Sequence, residues 1–146
     1  MLAEDLMTRD VSVVAPDHTI QQAARLMIAL DVGALPVGDN DKLVGMITDR
    51  DITVRGIAEG KGPETKVREL MTPDVKYCFV DEEIDDIAAN MADIQLRRLP
   101  VVDRDKRLVG ILSLCDIAVG DDPEQAAEAL SGISRPNGVA PVYPAA

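Results

Sequence analysis

The chain has 146 residues, long enough for one ordinary domain or two small fused halves. Hydrophobic residues make up 47% and aromatics only 2%, with no Trp, so the core is built from Val, Ile, Leu, Met and Ala. With 26 acidic against 15 basic residues and a formal charge of −11, the surface repels nucleic acid and anionic membranes; a small anionic ligand held by local arginines remains compatible with it.

No basic segment followed by an apolar run opens the chain, so no signal peptide is expected, and no stretch approaches the roughly 18 apolar residues of a membrane span. Cys78 and Cys115 lie far apart and form no C-x-x-C, which fits a reducing compartment, although an oxidised pair stays open. A soluble cytoplasmic protein is the expectation.

In chain order, residues 3–7 predict a short leading helix and the β-branched residues 11–14 a strand. After the turn Pro16-Asp17-His18, Thr19 and Gln22 make a capping box for a helix to about Leu30, with Ile20, Ala23, Ala24, Met27 and Leu30 on one face. Leu35-Pro36-Val37 reads as a strand whose proline fits an edge or a strand start. A polar hairpin turn at residues 38–41 leads to the strand Leu43-Val44-Gly45-Met46-Ile47 and a helix over about 49–59. Gly60-Lys61-Gly62-Pro63 is a linker.

The pattern then repeats. Met7-Thr8 recurs as Met71-Thr72 and Ala34-Leu35-Pro36-Val37 as Arg98-Leu99-Pro100-Val101, both 64 residues later. Leu43-Val44-Gly45 recurs as Leu108-Val109-Gly110 at 65, one residue being added in the turn at 103–106. The second copy predicts a leading helix at 67–71, a strand at 75–80, a helix with Ile84, Ile87, Ala88 and Met91 on one face, the strand Leu99-Pro100-Val101-Val102, and a strand from Leu108 running into a helix over about 114–120. Residues 1–62 form the first repeat with its leading helix and linker, 63–122 the second, and 123–146 a short helix to about Leu130 and then, from Ser131, a Gly-, Pro- and Ala-rich mobile tail.

Each closing strand ends in a hydroxyl and a carboxylate three residues apart, Thr48 with Asp51 and Ser113 with Asp116. A helix start there suits an anion, and a carboxylate beside it accepts hydrogen bonds from hydroxyls such as those of a ribose. The same spacing is also a helix capping box, and the two roles can coexist. His18, the one histidine, has no matched cluster, so no transition-metal site is expected. Cys115 falls in the first turn of a helix, which lowers a thiol's pKa; it reads either as a redox-sensing thiol or as a small core residue, and Cys78 reads as core.

The order strand–helix–strand–strand–helix, twice, with Met-Thr at the start, Leu-Pro-Val in the middle and Leu-Val-Gly-x-x-[Ser/Thr]-x-x-Asp at the end, resembles a tandem pair of cystathionine-β-synthase (CBS) domains over residues 3–121. Thr48-Asp49-Arg50-Asp51-Ile52 and Arg55-Gly56-Ile57-Ala58-Glu59-Gly60 look most like bacterial stand-alone two-CBS proteins, some of which belong to hypoxia or dormancy responses. The resemblance implies an α+β fold of two β-α-β-β-α repeats packed with pseudo-twofold symmetry. It implies two clefts that bind adenosyl ligands such as AMP, ADP, ATP or S-adenosylmethionine, no required cofactor and no chemistry of its own. It also implies pairing of two modules into a homodimeric disc, for which Ile52, Val54, Ile57, Ile117 and Val119 are candidates, and a regulated partner protein.

Asp116 and Ser113 match the family's ribose and phosphate positions in the second copy, and Asp51 and Thr48 match them in the first. Arg97-Arg98 stand where the family often has basic residues facing phosphates, whereas the first copy has Gly33-Ala34. The favoured nucleotide site is therefore Thr8, Arg97, Arg98, Ser113 and Asp116; a weaker second site comprises Thr48, Asp51 and Thr72, with Lys76 as a substitute cation. A ligand-free interaction or dimerisation scaffold is the alternative, supported by the stripped Gly33-Ala34 position. An enzyme is disfavoured by the lack of a nucleophile–base pair, a metal cluster or a dinucleotide fingerprint.

Overall fold

Each repeat folds around a β-hairpin covered by helices. The computed structural model describes residues 1–135; residues 136–146 lie outside the description. The first repeat contains α1 (Ala3–Leu6), α2 (Ile20–Leu30), β1 (Ala34–Asp39) and β2 (Lys42–Thr48). Its closing helix starts as α3 (Asp49–Asp51), continues as a π-wound turn (Ile52–Gly56) and ends as a 3₁₀ turn (Ile57–Glu59). The second repeat has the same order, α4 (Val67–Leu70), β3 (Cys78–Phe79), α5 (Ile84–Ile94), β4 (Arg98–Val102), β5 (Leu108–Ser113) and α6 (Leu114–Gly120), followed by α7 (Pro123–Ser134). Mixed helix and sheet in two repeats is the architecture that the sequence predicts.

The helices form where apolar spacing and caps agree. Thr19 Oγ1 accepts the Gln22 N–H at 3.1 Å and Gln22 Oε1 accepts the Thr19 N–H at 2.9 Å, closing the box that starts α2. Ile20, Ala23 and Met27 are buried along its inner face, while Leu30 emerges at its end. In α5 the corresponding Ile84, Ile87, Ala88 and Met91 are all buried.

The first strand of each repeat is shorter than its sequence predicts. Residues 11–14 form no strand; Val14 alone bridges Val37, donating to the Pro36 carbonyl at 3.1 Å and accepting from the Gly38 N–H at 2.9 Å. In a strand the N–H and C=O of one residue point to the same side, so the donor that would extend this ladder back to Ser12 is the one Pro36 lacks. Likewise residues 75–80 pair only over β3, with Cys78 beside Val101. Pro100 thus sits inside a central strand, between β3 and β5, and not at an edge or a strand start. It costs no β4–β5 bond, because Ile111 opposite it sends both backbone groups to Thr8.

The repeats clasp each other by exchanging their leading segments. α1 and Met7 pack with the second repeat's core of Ile84, Met91, Leu99 and Leu112, while Val67 and Leu70 of α4 pack with the first repeat's Ile20, Met27, Leu35 and Ile47. Thr8 and Ile111 exchange two backbone hydrogen bonds, 2.8 and 3.0 Å, and Thr72 and Met46 exchange two more, 2.8 and 3.0 Å. This antiparallel docking brings Met7 over Gly110 and Met71 over Gly45: a Cβ at Gly110 would lie 2.6 Å from Met7 Sδ and 2.9 Å from the Thr8 carbonyl. The repeated Met-Thr and Leu-Val-Gly motifs are therefore the two halves of one contact.

Asp122 Oδ1 accepts the Glu124 N–H at 2.9 Å and Pro123 occupies the first turn, which starts α7; Ala126 and Ala129 are buried in the second repeat's core. The helix runs four residues further than expected, so Ser131–Ser134 are helical rather than tail; the remainder of the expected tail, 136–146, is outside the described residues.

Burial pushes the Cys78 thiol up to about 12 from its ordinary 9.0, and the Glu82 carboxylate adds to the effect. The folded state therefore holds this proton after an unfolded chain has released it. The resulting stability is complete below about pH 9 and is lost as the pH climbs towards about 12. Between about pH 9 and 11 the unfolding free energy of the parent protein is expected to fall more steeply than that of Cys78→Ala, as read by urea titration under reducing conditions; parallel curves would contradict this.

Candidate functional site

Both hydroxyl–carboxylate pairs form capping boxes. Ser113 Oγ accepts the Asp116 N–H at 3.1 Å and Asp116 Oδ2 accepts the Ser113 N–H at 2.8 Å; in the first repeat both corresponding distances are 3.0 Å. Each carboxylate is thus oriented through one oxygen. The two differ at the other. Asp51 Oδ1 lies 4.0 Å from the Arg55 guanidinium one turn on, whereas among the described residues Asp116 Oδ1 takes no hydrogen bond and no ion pair. At the place corresponding to Arg55 the second repeat has Gly120.

A cleft of about 330 Å³ opens between the repeats on the Asp116 side, within the size of small-molecule sites. Thr8, Arg98, Ser113 and Asp116 all line it. Asp10 and Ser12 add polar groups, while Val11, Leu30, Val32, Ala34 and Pro36 of the first repeat and Ile111 of the second supply apolar walls. Arg97 does not line it: it lies in the bend before β4, and of the two arginines Arg98 reaches the cleft. The Arg97 carbonyl instead accepts the Leu114 N–H at 2.8 Å.

On the other side of the twofold, Thr72 is bonded to Met46, two residues before Thr48 on the same strand, and Asp51 follows at the helix start. Lys76 is exposed in the segment leading into β3. A larger groove, about 560 Å³, runs between α5 and α7 past Asp85, Asp93 and Glu128. Its lining is three acids, two glutamines and small residues, with Arg135 as the one cation among the described lining residues, so size does not select it over the inter-repeat cleft.

Sequence reasoning missed Asp10, Val11, Ser12, Leu30 and Val32. They belong to a loop and to the end of α2, where no motif marks them; the Met-Thr repeat just before Asp10 was the available pointer. Both cysteines are free, Cys78 buried and Cys115 exposed, so they are not a disulfide. Among the described residues no three His, Cys, Asp or Glu side chains group to hold a metal ion, and no helix is long and apolar enough to cross a membrane.

The CBS domain matches this chain twice, over residues 3–55 and 67–122, and the chain belongs to the CBS domain family. The CBS domain-containing protein YhcV of Bacillus subtilis (strain 168) is 43% identical over 135 residues, covering 92% of this chain and 96% of the relative. The CBS domain pair of protein MJ0100, solved in complex with 5-methylthioadenosine and S-adenosyl-L-methionine, superposes with a TM-score of 0.72 at 31% identity, covering 82% of this chain and 94% of that one. CBSX2, solved in complex with AMP, superposes with a TM-score of 0.71 at 31% identity, covering 81% and 93%.

Proposed function

We propose that this chain is a regulatory module that binds an adenosyl ligand such as AMP, ADP or ATP between its repeats and signals occupancy to a partner protein, without chemistry of its own. The observation that carries the reading is the Asp116 carboxylate, held by Ser113 through one oxygen with the other free of partners among the described residues, in the same cleft as Arg98. The free oxygen accepts ribose hydroxyls, Arg98 pairs with a phosphate, Thr8 and Ser113 add hydroxyls, and the walls of Val11, Val32, Ala34, Pro36 and Ile111 take the base. The adenosyl ligands of the two structural relatives support this assignment.

Thr48, Asp51, Thr72 and Lys76 form a second, weaker site, because Arg55 already engages Asp51 and Ala34 replaces a basic residue. A ligand in the main cleft touches both halves, so it favours the clasped arrangement and changes what the outer surface presents. That surface includes exposed Val54, Ile57 and Val119, through which two copies pair; Ile52 and Ile117, the other candidates, pack on the core.

Native mass spectrometry of freshly purified protein is expected to show two copies with retained nucleotide. Added AMP at about 100 times its Kd should raise the melting temperature by roughly 5–10 °C. A bare protein that neither AMP nor ATP stabilises would leave the ligand-free scaffold, which the uncharged Gly33-Ala34 position and Asp10 in an already acidic chain favour.

A further inference from the structure

Nothing in the family motifs points to Asp10, yet its placement gives it a role in the cleft. The backbone there is left-handed, φ 55°, a conformation that Asp and Asn tolerate and most side chains avoid. The segment is pinned on both sides, by the two Thr8–Ile111 hydrogen bonds before it and by the Val14–Pro36 bond after it. Its neighbour's positive charge is turned away: the Arg9 guanidinium donates to the Glu4 carbonyl at 2.9 Å. Among the described residues Asp10 has no ion-pair partner, and the charged groups lining the cleft are Asp10, Asp116 and Arg98.

One guanidinium therefore faces two carboxylates. Asp116 has a use for its charge, since an anionic oxygen is a strong acceptor for ribose hydroxyls. Asp10 has no such capping geometry, and its exposed carboxylate simply adds a second negative charge to the cleft. A phosphomonoester carries close to two negative charges and Arg98 one positive, so the lining has no cation to spare; each further phosphate is drawn to Arg98 but repelled by both carboxylates, and of these Asp10 is the one with no part in holding the ribose. We propose that Asp10 sets the charge limit of the site, so that the cleft selects an adenosyl ligand with no more than one phosphate and rejects polyphosphates. This rests on the adenosyl reading above.

Calorimetric titration with adenosine, AMP and ATP, without divalent cations and at low and high salt, tests it on the parent protein and on Asp10→Asn, which keeps the left-handed backbone. AMP should bind the parent protein tighter than ATP, on the order of twofold per added charge at about 8 Å in water, and high salt should shrink that gap without any substitution. Asp10→Asn should tighten ATP several-fold while leaving adenosine unchanged. ATP binding the parent protein as tightly as AMP, or AMP-to-ATP ratios equal in the two proteins, would overturn the role of Asp10 and leave the adenosyl reading standing. Failure of all three ligands to bind either protein would overturn both.

Discussion

Gly110→Ala is expected to lower the unfolding free energy by about 1–3 kcal/mol and the melting temperature by roughly 3–10 °C. The added Cβ would meet Met7 Sδ at 2.6 Å, Met7 Cγ at 2.9 Å and the Thr8 carbonyl oxygen at 2.9 Å. The methionine can change rotamer, but the carbonyl is backbone and accepts the Ile111 N–H at 3.0 Å, so relief requires the two strands to separate. Gly45→Ala should cost less, because there the backbone contact, to the Thr72 carbonyl, is 3.1 Å. A double variant with Met7→Ala should recover little of the Gly110→Ala loss, since the carbonyl remains in the way. Thermal and urea unfolding give these differences directly. An alanine variant as stable as the parent protein would mean that the clasp is not the tight joint described. Because Thr8 also lines the cleft, the same substitution should weaken ligand binding even where the protein stays folded.

The order of elements was readable because each amphipathic stretch keeps its own period and its own cap, as α2 and α5 show. The exchange of leading helices was not. Periodicity says that Ala3 and Met7, or Val67 and Leu70, share a buried face, but it carries no information on which repeat supplies the other side. A proline in these strands leaves its own strand intact and acts on the neighbouring one, which ends where Pro36 and Pro100 offer no donor, and a strand's own sequence does not show its neighbour. The last turn of α7 was hidden by small residues that look like a tail until they are packed on α5. In the cleft, Thr8, Arg98, Ser113 and Asp116 could be picked out because motifs repeated at fixed spacing mark their positions. Asp10 and Ser12 could not, because a loop residue's place in a cavity is set by tertiary docking. The contrast between Arg55 and Gly120 lies open in the aligned repeats, but it gains meaning only once Asp51 Oδ1 is seen near that guanidinium.

That contrast makes the largest binding effect fall on one carboxylate. Asp116→Ala removes charge-assisted hydrogen bonds worth roughly 1.5–3 kcal/mol, so AMP affinity should drop about tenfold to 150-fold. Asp51→Ala should change it by no more than about threefold, because Asp51 already lies beside Arg55 and the first repeat has Ala34 in place of Arg98. Both substitutions also delete a capping acceptor, at about 0.5–2 kcal/mol of stability each, so the titrations belong well below either variant's melting temperature. Asp116→Asn separates the two roles. Its amide oxygen still accepts the Ser113 N–H, keeping α6 in place, while the free oxygen becomes an NH₂ that cannot accept from a ribose. Binding should therefore fall in Asp116→Asn with little loss of stability. If Asp116→Ala and Asp51→Ala weaken AMP equally, or neither does, the clefts are not unequal in the way that Arg55, Gly120 and Arg98 require.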